Sequence, residues 1–205
     1  MSVADISTVV VSYKRPELLR ETLVSYVNTV SVPYELVVVD NGSCPEAIEI
    51  AHEFADEVIE LGENRFPGYS TNVGWDRLDG KLLHRSDNDV EYLEGWCEEV
   101  ARCFAADPNL GQLGLRTVEE EGAHPNVGGN CVVRADVFQS VRWVEDPWRP
   151  GVKGEDYYFT CAVQGMGFNW TRVSTPCIVH RGKQFPEMPR DDPYYVETWG
   201  AKGVW

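Results

Sequence analysis

The chain has 205 residues, and against the roughly 150 of a typical domain that length is read as one compact domain with enough chain to bury a single sizeable core. It carries 18 Lys and Arg against 33 Asp and Glu, a net charge of −15, so it has no overall electrostatic reason to coat a polyanion such as DNA or RNA. A hydrophobic fraction of 43%, with 7 Trp, 9 Tyr and 7 Phe, is far from the composition that leaves chains disordered.

The longest aliphatic runs, Val9-Val10-Val11 and Leu36-Val37-Val38-Val39, are much shorter than the ~20 residues of a membrane span. The start, Met1-Ser2-Val3-Ala4-Asp5, has no basic and then apolar leader pattern, and a cytoplasmic location is expected. The six cysteines, Cys44, Cys97, Cys103, Cys131, Cys161 and Cys177, form no CxxC pair. They are read as reduced, mostly buried thiols; a structural zinc site lacks closely spaced ligands.

In chain order, residues 6–13 are β-branched and apolar, as in a strand buried on both faces of a parallel sheet. Pro16 suits a first helical turn, and Leu18, Leu19, Thr22, Leu23, Tyr26 and Val27 follow at helical spacing. Residues 35–40 repeat the strand pattern and end at the turn Asn41-Gly42-Ser43; residues 45–57 read as a helix with Ile48, Ala51 and Ala55 on one face. A short strand at 58–61, a weakly helical segment at 68–78 and a strand at 81–86 complete a βαβαβαβ order, which argues for a parallel sheet. A helix at 93–106 stops before Pro108. Strands near 113–117 and 131–134, a helix at 154–165 and an extended stretch at 169–180 follow, and the last 25 residues read as a surface wrap. The fold class expected is α/β, with a mostly parallel central sheet flanked by helices.

In such a sheet, ligands collect at the carboxyl ends of the strands. Three polar sets fall there: Ser12-Tyr13-Lys14-Arg15, Asp40-Asn41-Gly42-Ser43 and Asp87-Asn88-Asp89. Read as extended, Asp87 and Asp89 point to one side with Asn88 away. They could then hold a hard cation, Mg²⁺ or Mn²⁺; a solvated turn is the plainer reading. Asp40 could accept hydrogen bonds from a nucleoside or could simply cap an Asx turn. Neither GxGxxG nor GxxxxGK[ST] is present, so a phosphate-bearing ligand would have to be held by metal. Glu155-Asp156 follows Gly154 at the start of a helix, as a cap, a dipole partner or a general base. His180, ending Cys177-Ile178-Val179, is hydrogen-bonded structure unless it meets Asp89, when it becomes a metal ligand. His52, His84 and His124 are assigned nothing. Trp143, Trp148, Tyr157 and Tyr158 could stack on a sugar or fill the core.

These residues together resemble the family-2 glycosyltransferases of GT-A fold, inverting enzymes that use nucleotide-diphosphate sugars. Val9-Val10-Val11-Ser12-Tyr13 with Arg15-Pro16-Glu17-Leu18 resembles the family's first strand and helix, and Leu36 to Ser43 its "IVVDNGS" signature. The segment from Asn64 to Gly74, with Asn72, is similar to "N-x-G-x-x-x-A-x-N-x-G", with Pro67 and Ser70 departing from it. Asp87-Asn88-Asp89 stands where the family carries DxD, Glu155-Asp156 where it carries "ED", and His180 where a metal-binding His follows. Gly128-Gly129-Asn130 with Val132-Val133-Arg134 resembles the acceptor-side strand; Tyr194-Tyr195-Val196-Glu197-Thr198-Trp199-Gly200 resembles the "Y-x-x-K-W-G" ending, with Thr198 in place of Lys.

The resemblance implies a single GT-A domain over residues 1–205, with a nucleotide-sugar half to about residue 90, an acceptor half at about 110–180, and a wrap over 181–205. It implies donor contacts from Ser12, Tyr13, Arg15, Asp40, Asn72, Asp87 and Asn88, metal ligation by Asp89 and His180, and Asp156 as the base that deprotonates a hydroxyl acceptor. Gly128, Gly129, Glu155 and Trp148 are expected on the acceptor side. The acceptor stays open among protein, glycan, lipid-linked sugar and modified nucleic acid, the last disfavoured by the acidic charge despite Arg134, Arg142, Arg149 and Lys153. A processive polysaccharide synthase is not expected from so short a chain. A catalytically degenerate binder and a sugar nucleotidyltransferase remain as alternatives.

Overall fold

The structure, a computed structural model, describes residues 5–119, 127–145 and 154–182. The elements run β1 (Ile6–Ser12), α1 (Pro16–Thr29), β2 (Tyr34–Asp40), α2 (Pro45–Phe54), β3 (Glu57–Glu60), α3 (Phe66–Trp75) and β4 (Leu82–Asp87). Then come β5 (Val90–Tyr92), α4 (Trp96–Ala106), β6 (Leu110–Gly114), β7 (Cys131–Arg134), α5 (Ala135–Phe138), α6 (Glu155–Gly165), β8 (Asn169–Arg172) and β9 (Ile178–His180). Seven strands form one sheet in the order β3-β2-β1-β4-β7-β6-β8, and β5 pairs with β9 in a second. Strands β1 to β4 are mutually parallel, and β7 is inserted antiparallel between β4 and β6.

Alternation along the parallel strands divides the core. Val10, Leu36 and Val38 face α1, α2 and α4, which contribute Leu19, Leu23, Tyr26, Ala47, Ile50 and Trp96. Val9, Val11, Val37 and Val39 face the other layer, where Trp75 of α3, Phe138 of α5 and Phe159 and Val163 of α6 pack. Full burial of each Val, Leu, Ile or Phe among them is worth about 1.5–3 kcal/mol relative to exposure. Helix α3 comes unusually close to the sheet because it presents Gly74, where a Cβ would stand 2.5 Å from a methyl of Val9 and 2.9 Å from one of Val39.

The expected βα order and the mostly parallel sheet are present; several details differ. Helix α2 ends at Phe54, and its C-cap, Ala55, is extended. Its buried face is therefore Ala47, Ile50 and Ala51, rather than the one through Ile48 and Ala55. The segment read as weakly helical is a regular ten-residue helix, α3. The single stretch expected at 169–180 splits into β8 and β9, which join different sheets. All six cysteines are unpaired. Among the described residues no helix is long and apolar enough to cross a membrane. The C-terminal wrap beyond residue 182, with its Tyr194–Gly200 motif, lies outside the described residues, as do His124, Trp148, Arg149 and Lys153.

Candidate active site

The registers bring the three polar strand ends together: Ser12 pairs with Asp40, and Val11 with Asp87. Helices α1 and α2 cover one face and α3 the other, so the carboxyl edge around β1 and β4 is a switch point of the kind at which open α/β sheets bind ligands. The backbone after β1 is strained there. Lys14 and Arg15 both adopt left-handed conformations, φ 56° and 57°, which cost non-glycine residues energy and cluster at functional sites. The turn is pinned by Asn41 N–H donating to the Ser12 carbonyl (2.8 Å) and Lys14 N–H to Ser43 Oγ (2.9 Å).

Asp40 is 3% exposed. Its carboxylate accepts from the N–H groups of Gly42 (3.2 Å) and Ser43 (3.1 Å), forming the Asx-type turn, which does not exclude the nucleoside contact also read for it. Asn41 extends the turn outward: its amide donates to Asn64 Oδ1 (2.9 Å) and accepts from Arg65 N–H (2.7 Å). The Asn72 side chain, expected on the donor side, is committed elsewhere. It accepts from Trp143 N–H (3.0 Å) and donates to the Trp143 carbonyl (3.0 Å) and Glu145 Oε1 (3.0 Å), clamping α3 to the second half of the chain.

Strand β4 stops at Asp87, and Asn88-Asp89 form a turn, so the extended geometry expected for the acidic pair does not hold. Asn88 is buried, donating to the Lys14 carbonyl (3.0 Å). Asp87 is gripped by Asn130, whose amide accepts from Asp87 N–H (3.0 Å) and donates to its carboxylate (2.9 Å). Gly129 makes room for that grip, since a Cβ there would lie 3.1 Å from Asp87 Oδ2.

Asp89 is 7% exposed. Its Oδ2 accepts from Arg15 Nη1 (2.7 Å), while Oδ1 has no hydrogen-bond partner among the described residues and lies 3.5 Å from His180 Nε2. The pairing of β5 with β9, Val90 opposite His180, sets this meeting. His180 Nδ1 donates to the Gly182 carbonyl (3.0 Å), which leaves Nε2 toward Asp89, the ring orientation that ligating histidines adopt. Gly182 closes around the carboxylate: a Cβ there would stand 2.1 Å from Asp89 Oδ2. Burial pushes the Asp89 carboxyl above the ordinary carboxylate range; the Asp87 charge adds to that push, and His180 and Arg15 oppose it. Among the described residues no cluster of three or more His, Cys, Asp or Glu is set to hold a metal. An orphaned buried carboxylate oxygen facing an oriented imidazole nevertheless fits a hard divalent cation that takes its remaining oxygens from a diphosphate and water.

On the other side, Gly154, at φ 110°, lets the chain turn into α6. Asp156 Oδ1 accepts from Tyr157 N–H (2.9 Å). Glu155 is bound by Arg85 of β4, with Nη2 to Oε1 at 3.0 Å. Burial raises the Glu155 carboxyl; Arg85 opposes this, and the nearby charges of Asp156 and Asp87 add to it. The two acidic motifs therefore sense each other. Trp143 belongs to the core: it is 2% exposed and stacks flat on Phe159, with centroids 4.2 Å apart. Gly128 has φ 77°.

Arg85 and Gly182 were not among the expected site residues, and Asn130 figured only within the acceptor-side strand. One signal for Arg85 was available, because it stands two residues before Asp87 on a strand and so shares its face.

No curated protein matches this sequence. Among solved structures, the mannosyltransferase PcManGT from Pyrobaculum calidifontis, in complex with GDP-Man and Mn²⁺, superposes with a TM-score of 0.75 at 16% identity over 91% of this chain and 59% of that one. S. aureus TarS 1-349 in complex with UDP-GlcNAc gives 0.73 at 16% identity over 89% and 60%. The chain thus spans about three fifths of each, and the likeness is one of fold. The family model of glycosyl transferase family 2 matches residues 7–157, and with the α/β architecture of GT-A glycosyltransferases around that match, the chain belongs to this family.

Proposed function

We propose that the protein is an inverting, metal-dependent glycosyltransferase that moves a sugar from a nucleotide-diphosphate donor to a hydroxyl acceptor. The observation that carries the reading is the orphaned Asp89 Oδ1 facing His180 Nε2 at the carboxyl edge of the sheet. The first half of the chain, to about residue 90, would hold the donor, and residues of about 110–180 the acceptor. Ser12, Tyr13 and Asp40 line the nucleoside end, Asp40 keeping acceptor capacity beyond its turn bonds. Asp87, held rigid by Asn130, and Asn88 border the ribose and diphosphate. Asp89 and His180 would hold Mn²⁺ or Mg²⁺, which when bound offsets the charge that develops on the departing diphosphate. Asp156 takes the acceptor proton as the hydroxyl oxygen attacks the anomeric carbon on the face opposite the diphosphate. That carbon's bond to the phosphate oxygen breaks as the new one forms, so its configuration inverts without a covalent enzyme intermediate.

The solved neighbours carry GDP-Man with Mn²⁺ and UDP-GlcNAc, so GDP- and UDP-sugars are the first donors to test. With Mn²⁺ present, one donor series is expected to raise the melting temperature and to be cleaved slowly to the free nucleoside diphosphate. Release of pyrophosphate would indicate nucleotidyl transfer instead, and binding without cleavage or transfer to any acceptor would indicate a degenerate member. Absence of binding to any nucleotide sugar overturns the reading.

A further inference from the structure

Arg85 is 3% exposed in the middle of β4, and the guanidinium has few of the partners that burial demands. Nη2 binds Glu155, while Nε and Nη1 find no acceptor among the described residues. The guanidinium lies 4.3 Å over the Trp143 ring, and Trp143 Nε1 is likewise buried without a partner among the described residues. Polar networks kept for stability are satisfied, and a buried ion pair is commonly no more stabilising than apolar residues of similar volume. Stability alone is a poor reason for this arginine.

Its position supplies another. Arg85 and Asp87 share one face of β4, and Gly129 packs against both: a Cβ there would lie 3.1 Å from Asp87 Oδ2 and 3.5 Å from Arg85 Nη2. The partner carboxylate, Glu155, opens α6 immediately before Asp156, and the stacked Trp143 rests on Phe159 of the same helix. We propose that Arg85 is a positioning residue for transfer: through Glu155 it fixes the first turn of α6, and with it Asp156, at a set distance from Asp87 on the donor side. Donor and acceptor halves are thus registered by one buried ion pair. The inference rests on the role proposed above for Asp156.

The test uses the double variant Arg85→Met/Glu155→Leu, which removes both charges together, and Arg85→Lys, which keeps the charge but loses the fork. The double variant is expected to melt at or above the wild-type temperature. Its kcat for transfer should fall about 100-fold, as a misplacement near 1 Å can cause, with donor KM within about threefold of wild type. Arg85→Lys should recover part of that kcat. A kcat within about threefold of wild type in the double variant, or a loss wholly in donor KM, overturns the proposal. A crystal structure of Arg85→Lys gives a reading independent of turnover. A first turn of α6 displaced from Asp87 supports the proposal, and an unmoved turn overturns it, even where the wild type transfers nothing and the functional reading itself has failed.

Discussion

The two faces of β4 carry buried polar networks built from adjacent residues, and they are completed to different degrees. On one face His84 bonds Thr8 Oγ1 through Nδ1 (3.2 Å) and meets the Tyr92 hydroxyl at Nε2 (3.4 Å). Thr8 in turn bonds Tyr26 (2.7 Å), and Tyr92 bonds Ser86 (2.6 Å). Tyr26, Tyr92 and Trp96 surround the imidazole, and every polar side chain in the group has a partner. On the other face, Arg85 keeps two nitrogens without acceptors among the described residues; Asp89, in the turn beyond the strand, likewise keeps one oxygen. A satisfied network specifies a unique core, while an unsatisfied buried group costs free energy. The first face has the completeness expected of scaffold, and the second carries the incomplete bonding on which the proposals above rest.

The contrast can be broken at several points. The largest effect is expected on the open face, where Asp156→Asn should lower transfer by about 10²- to 10⁴-fold, the usual worth of a general base, while nucleotide binding measured by calorimetry persists. Near-normal transfer would remove Asp156 from its role. Gly182→Ala should displace the Asp89 carboxylate that a Cβ would strike at 2.1 Å. A fall of about 10- to 100-fold in Mn²⁺-dependent nucleotide affinity is expected, the range seen when groups that orient metal ligands are lost.

The closed face should appear in stability instead. Burial lowers the His84 pKa to about 3, against about 6.5 in an unfolded chain. Below pH 6.5 the unfolded state binds the proton and the folded state does not. Stability contributed by the neutral ring is therefore complete above pH 6.5 and declines by about 1.4 kcal/mol per pH unit toward pH 3. Denaturant titrations at pH 7 and pH 5 should differ by about 2 kcal/mol from this residue, and His84→Leu should flatten that part of the slope. Tyr92→Phe removes the bond to Ser86, which keeps a second bond to the Asp87 carbonyl, and the longer contact with His84 Nε2 (3.4 Å). It should cost about 1 kcal/mol and leave transfer unchanged; a loss of transfer would show that the two faces are coupled.

What the sequence disclosed follows the same division. From β1 to β4 the strands and α1 announced themselves through their own periodicity and Pro and Gly punctuation, α2 and α3 less exactly, and the parallel order followed from βα alternation. The insertion of β7 between β4 and β6 depends on pairings far apart in the chain, such as Arg85 with Cys131, which no local pattern encodes. Residues 169–180 looked continuous, yet the segment at Ser174-Thr175-Pro176 breaks them into strands of two sheets. At the site, residue types and strand ends were legible, and the meeting of Asp89 with His180 was anticipated as a condition. Side-chain direction was not. Asn72 turns to Trp143 and Asn88 to Lys14, because an amide follows whichever backbone groups tertiary packing leaves unpaired. Arg85 escaped notice because its meaning lies in Glu155, 70 residues away.

The claim on which the account turns is that Asp89 and His180 join a divalent cation to a nucleoside diphosphate. Calorimetric titration of GDP and UDP into the protein, with Mn²⁺ and then with chelator, tests it directly. The account predicts binding of at least one nucleotide that chelator abolishes and that Asp89→Ala lacks. Equal binding with and without metal, or undiminished metal-dependent binding in Asp89→Ala, would contradict it.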